Sequence, residues 1–125
     1  AKRALPLPVS VPSHCALMKP AALKLADALE GISISVPTMP VLHNADVASY
    51  TDPAQIRDAL VRQLYSPVRW TDTVRKLAAD GVSRHAECGP GKVLAGLNKR
   101  IDSSLSTLAL TDDAALAAAL SSLNG

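Results

Sequence analysis

Val82-Ser83-Arg84-His85-Ala86-Glu87-Cys88 runs into Gly89-Pro90-Gly91, then into Lys92 to Ile101, and then into Leu105 to Leu110. The first segment reads as a strand, Gly-Pro-Gly as a tight turn, the third segment as a helix and the last as a second strand. Strands alternating with helices define an α/β class. Working upstream, Val74, Leu77 and Ala78 mark a helix closed by Gly81. Asp52-Pro53-Ala54-Gln55 is a helix start, with an Asp cap, Pro at the first position and Gln three residues after the cap. Ile56, Ala59 and Leu60 form its apolar stripe, Gln63 falls on the same stripe, and Pro67 ends this helix or starts the next. Pro20 opens a helix carrying Ala22, Leu25, Ala26 and Leu29, with Gly31 placed to terminate it. Ile32, Ile34 and Val36 alternate with Ser33 and Ser35 as a short strand, and Val41-Leu42 reads as another. Leu5, Leu7, Val9 and Val11 also alternate, but Pro6 and Pro8 deny ladder hydrogen bonds, so this is an edge or irregular strand. Downstream, Thr111 is expected to cap a last helix bearing Leu116, Ala119, Leu120 and Leu123.

The 125 residues suffice for one domain, and 48% hydrophobic content speaks against disorder. A net charge of +2 with 2% aromatics lacks the basic groove and stacking platform of a nucleic-acid binder. No uninterrupted apolar run is long enough to span a membrane. The opening Ala1-Lys2-Arg3 leads into a proline-broken stretch rather than a signal core, and it reads as a cut inside a longer chain. Cys15 and Cys88 lie far apart and outside any CxxC, which points to a reducing, cytoplasmic compartment. With His14, His43 and His85 they show no zinc-ligand spacing, so no metal is expected.

The search for a nucleophile ends without one. Gly31-Ile32-Ser33-Ile34-Ser35 and Gly81-Val82-Ser83-Arg84-His85 both lack the second glycine of a serine elbow. Cys15 adjoins His14, but neighbours on an extended segment face opposite ways, so Cys15 reads as a buried structural thiol. His14 lies between a strand ended by Pro12 and a helix opened by Pro20, where open α/β sheets place functional groups. His43 and His85 have no evident partner. Gly89-Pro90-Gly91 could offer N–H groups to an anion, although a structural turn fits its shortness better. Gln63 on an apolar stripe needs a hydrogen-bond partner, for which local backbone would serve. Lys2-Arg3 and Lys99-Arg100 read as solvated charges that could also meet an acidic partner.

Leu7 to Ala21, which includes Val11-Pro12-Ser13-His14-Cys15, resembles the histidine segment of malonyl-CoA:acyl carrier protein transacylases. The resemblance continues through Pro40-Val41-Leu42-His43-Asn44, Ile56 to Tyr65, Ser66-Pro67-Val68-Arg69-Trp70 and Glu87 to Leu94. It covers essentially the whole chain, in the order of the family's C-terminal portion, and is closest to the bacterial fatty-acid-synthesis members. It implies the C-terminal part of an α/β-hydrolase-like acyltransferase large subdomain over residues 12–125. Residues 1–11 would be the strand returning from a ferredoxin-like small subdomain.

By the same resemblance, His14 matches the catalytic histidine, and Gln63 the residue whose backbone carbonyl orients it. Val11, Pro12 and Ser13 match a segment that correlates with acyl choice, and Ser13 stands where malonyl-selective polyketide domains usually have Phe. Asn44 and the Gly-Pro-Gly turn match family positions with no chemistry attached. The implied reaction is ping-pong transfer of malonyl from coenzyme A to the phosphopantetheine thiol of acyl carrier protein, through a malonyl-serine and without a metal or redox cofactor. The serine elbow, the oxyanion-hole donors and the carboxylate-binding arginine have no counterpart here. They would come from an N-terminal remainder of the enzyme, and the chain alone is expected to be inactive. The competing expectations are a non-catalytic module that docks an acidic carrier protein and a self-sufficient structural domain.

Overall fold

The computed structural model describes residue 4 and residues 10–123. Of the strand expected over 5–11, residues 5–9 lie outside the described residues, as does the pair Lys2-Arg3, and residues 10 and 11 are not in a strand. The chain divides into two compact units, residues 1–69 and 70–125.

The first unit holds helices α1 (Lys19–Glu30) and α2 (Pro53–Arg62) and a short hairpin, β1 (Leu42–His43) against antiparallel β2 (Ala48–Ser49). Met18 occupies the N-cap position of α1 without a side-chain capping bond, and Pro20 lies in the first turn, where a missing N–H costs nothing. Ala22 and Leu29 of α1 and Ile56 and Ala59 of α2 are the buried residues of the two helices, which pack on each other. Asp52 caps α2 as expected, its Oδ1 accepting the Ala54 N–H at 3.0 Å. Helix α1 stops at Gly31, whose φ of −82° is right-handed, so glycine's conformational freedom is not used there. The stop is secured instead by Arg57 of α2. Its Nε donates to the Leu29 carbonyl at 3.1 Å and its Nη2 to the Ile32 carbonyl at 2.6 Å, placing a cation on the negative end of α1. This contact accounts for a correction. Ile32 to Val36 forms no strand, because the Ile32 carbonyl is taken by a side chain and no ladder partner lies alongside among the described residues.

The second unit is a parallel pair, β3 (Arg84–Cys88) and β4 (Ser106–Leu110), connected through α4 (Val93–Ile101) and flanked by α3 (Trp70–Ala79) and α5 (Asp113–Leu123). The pairing aligns His85 with Thr107 and Glu87 with Ala109. A parallel pair joined by a helix is the βαβ unit of α/β proteins. Helix α3 ends in a Schellman motif: Gly81 N–H donates to Ala78 O at 3.1 Å and Val82 N–H to Leu77 O at 2.9 Å. Gly81 sits at φ +90°, a conformation that glycine alone adopts without strain. The cap of α5 is Asp112 rather than the expected Thr111; Asp112 Oδ1 accepts the Ala115 N–H at 2.8 Å. Val74, Leu105 and Ala119 are the buried apolar residues of this unit.

Because the Asp52 cap fixes where α2 begins, Asp52→Ala should destabilise the folded protein by about 1 kcal/mol. Urea denaturation at constant m-value checks this.

Candidate active site

The site is built on the C-terminal end of α2. The last carbonyls of a helix have no partner within it, and Pro67, four residues after Gln63, has no N–H to give. The carbonyls of Gln63 and Leu64, the two residues that follow α2, are met by one residue. His14 donates its backbone N–H to Leu64 O at 3.1 Å, and its Nδ1 stands 2.9 Å from Gln63 O. A carbonyl oxygen carries no hydrogen, so Nδ1 must be the protonated nitrogen and Nε2 keeps a free lone pair. His14 adopts φ +58°, the left-handed region that a histidine occupies more readily than most residues. That turn, rather than an extended strand end, directs the ring at α2. The His14 side chain is exposed.

Gln63 is not inside the helix but is its C-terminal cap. The position matters through its main chain, which any residue would supply. Val11, Pro12 and Ser13 are all exposed. Cys15 is half-buried, and its thiol donates back to the Pro12 carbonyl at 3.3 Å.

Immediately before Gln63, Arg62 makes contacts that the sequence did not announce. Its Nη1 and Nη2 fork onto Asp46 Oδ1 and Oδ2 at 2.5 and 2.7 Å, and its Nε donates to Asp58 Oδ2 at 2.5 Å. Asp46, in the turn between β1 and β2, also accepts the Tyr50 hydroxyl at 3.1 Å. The Arg62 guanidinium, more than the Tyr50 bond, holds the Asp46 carboxyl below the usual carboxylate range. The Asp58–Arg62 spacing of four is a readable helix pair; Asp46, sixteen residues away, is not.

The remaining candidates sit among structural contacts, although Asn44 Oδ1 and His85 Nε2 are buried without a hydrogen-bond partner among the described residues. His43 is buried against Tyr50, with ring centres 5.4 Å apart. His85 Nδ1 faces the Asn98 amide nitrogen at 3.1 Å, and Asn98 Oδ1 accepts the Trp70 Nε1–H at 2.9 Å. Since indole only donates, this chain makes His85 Nδ1 an acceptor, the opposite tautomer to His14. The Asn44 main-chain carbonyl accepts the Arg69 N–H at 2.8 Å. At the Gly-Pro-Gly turn the N–H groups of Leu94 and Ala95 bind the two carboxylate oxygens of Glu87, at 3.1 and 2.8 Å. The anion at that helix start is therefore internal. Among the described residues no group of three or more His, Cys, Asp or Glu side chains could hold a metal. Among the described residues no helix is long and apolar enough to cross a membrane.

No family model matches the sequence. The malonyl CoA-acyl carrier protein transacylase of Salmonella typhimurium is 65% identical over 120 residues, which cover 96% of this chain and 39% of that protein. A crystal structure of an acyl carrier protein S-malonyltransferase from Vibrio cholerae superposes with a TM-score of 0.89 at 58% identity, over 94% of this chain and 39% of that one. Over nearly its whole length the chain is similar to malonyl CoA-acyl carrier protein transacylases. It spans about two-fifths of the length of these relatives. A malonyl-transacylase solved in complex with a type II PKS acyl-carrier protein gives a TM-score of 0.92 at 58% identity, over 97% of this chain and 39% of that one. The stretch shared with these relatives contains His14 and its two backbone acceptors, and no Gly-x-Ser-x-Gly.

The Asp46 carboxyl titrates lower when folded than its ordinary 3.8, so it stabilises the fold above that pH and ceases to as pH falls through its lowered value. Asp46→Asn should lower stability at pH 7 and flatten the loss of stability below about pH 4, read from denaturation midpoints across pH.

Proposed function

We propose that this chain supplies the general base of a malonyl-CoA:acyl carrier protein transacylase whose nucleophilic serine lies in sequence outside it. The observation that carries the reading is the 2.9 Å contact between His14 Nδ1 and the Gln63 carbonyl, in a chain 65% identical to a named transacylase. With Nδ1–H committed to a carbonyl, Nε2 is the one nitrogen able to accept a proton. His14 takes the proton from the serine hydroxyl as its oxygen attacks the malonyl thioester carbon. The tetrahedral intermediate collapses by breaking the carbon–sulfur bond, and the imidazolium returns the proton to the departing coenzyme A sulfur. In the second half-reaction His14 takes the proton of the carrier protein's phosphopantetheine thiol, which attacks the malonyl-serine ester and regenerates the hydroxyl. Every step is acyl transfer between oxygen and sulfur, so the proton balance closes without a cofactor.

The orienting group is neutral, unlike the aspartate of a Ser-His-Asp triad. It still lies at the negative end of a ten-residue helix, which favours the imidazolium as it forms. Val11, Pro12 and Ser13, just before the histidine, would border the acyl group. Acyl carrier protein as the acceptor is supported by the solved complex of a relative with such a protein. In this reading the two units are parts of an α/β-hydrolase-like large subdomain, residues 1–11 return from a ferredoxin-like small one, and the N-terminal remainder completes the site. Exposed apolar side chains such as Leu116 and Leu120 on α5 and Val93 on α4 are then faces for that remainder to cover. The two free thiols, Cys15 and Cys88, suit a reducing, cytoplasmic setting.

In the full-length enzyme, His14→Ala should slow formation of malonyl-serine at least about 100-fold, measured by rapid quench with labelled malonyl-CoA. Near-normal rates would refute the assignment. The isolated 125-residue chain should form no malonyl adduct by intact mass.

A further inference from the structure

We propose that Asp46 and Arg62 are positioning residues for this reaction: their forked ion pair fixes the peptide that presents the Gln63 carbonyl, and thereby the direction of the His14 ring. The proposal rests on His14 acting as the base.

The Gln63 carbonyl lies just past the regular hydrogen-bond ladder of α2. The turn that follows is held by the longer bonds Leu64 N–H to Val61 O, 3.3 Å, and Tyr65 N–H to Arg62 O, 3.2 Å. Helix ends fray first, so a carbonyl there needs outside support to keep one direction. Arg62 is the last residue of α2, and each of its guanidinium nitrogens is engaged. A cation that only balanced the helix dipole would stay solvated and would need no such fork. Here the Asp46 side chain is 18% exposed and that of Arg62 31%.

Asp46 is itself immobilised. Its turn is closed by Val47 N–H to His43 O at 2.8 Å, with Val47 at φ +58°. Leu42 and Ser49 pair across the hairpin, Arg69 N–H holds the Asn44 carbonyl, and the Tyr50 hydroxyl donates to Asp46 Oδ2. The hairpin is thus a fixed post to which the end of α2 is tied one residue before the functional carbonyl. Bidentate Arg–carboxylate pairs set direction as well as distance, which a single Lys contact would not.

The test uses the full-length enzyme, with His14→Ala run in parallel. Asp46→Ala should reduce the single-turnover rate of malonyl-serine formation about tenfold, with KM for malonyl-CoA unchanged. Asp46→Glu should recover part of the rate. With 15N-labelled histidine, His14 in the parent should show one neutral tautomer protonated at Nδ1, and Asp46→Ala a mixture of tautomers. Unchanged rate and tautomer in a folded Asp46→Ala protein overturn the proposal, as does a rate loss that only follows the folded fraction. Should Asp46→Ala not fold, Tyr50→Phe and Arg62→Lys should each lower the rate about twofold to threefold and broaden the Nδ1–H signal, and no effect in either overturns it. If His14→Ala is itself near normal, the base assignment fails; if His14→Ala is slow and the Asp46 variants are normal, only the positioning role fails.

Discussion

A hydrogen bond between an imidazole N–H and a main-chain oxygen organises this chain. The Gln63 carbonyl can accept and cannot donate, so the 2.9 Å contact chooses one of two histidine tautomers without any charged side chain. Much of the first unit serves to bring the two ends of that bond together. His14 must turn through a left-handed conformation to reach the end of α2, and its own N–H is caught by the next carbonyl, that of Leu64. Two consecutive acceptors at a helix end thereby hold backbone and ring of the same residue.

Helix α2 is the beam on which this depends, and it is tied at three places. Asp52 sets its start, Arg57 reaches to the end of α1, and Arg62 reaches to the hairpin. Isolated surface ion pairs are worth little. The value of the Arg57 and Arg62 ties lies in geometry, because each joins α2 to a different piece of chain. Ile56 and Ala59 are the buried residues of α2, which packs on α1.

Local signals in the sequence place α2, α3 and α4 well, because caps, prolines and apolar stripes are written in neighbouring residues. Longer-range competition is not written there. Ile32 to Val36 carries a strand pattern, yet Arg57, twenty-five residues away, takes the Ile32 carbonyl. Thr111 looks like a cap, and the adjacent Asp112 does the work because its carboxylate reaches the Ala115 N–H. Gln63 attracts notice by its side chain on an apolar stripe, whereas the atom that contacts His14 is a backbone oxygen whose presence no residue type signals. Without the family resemblance, periodicity would have selected that position for the wrong atom. The Asp46–Arg62 fork lay out of reach for the same reason as the Arg57 contact: it spans sixteen residues and two different elements.

Glu87 gives the second unit a different lesson. Its carboxylate occupies the Leu94 and Ala95 N–H groups at the start of α4, and it is tethered to them by only the Gly-Pro-Gly turn and a few flanking residues. A tethered ligand competes at an effective concentration on the order of millimolar or more. Any diffusing phosphate or carboxylate would have to exceed that local supply and also face the repulsion of a displaced Glu87. The loop that most resembles an anion receptor in the sequence is thus a self-inhibited one, and its resident anion welds β3 to α4 where an open site would have left them separable.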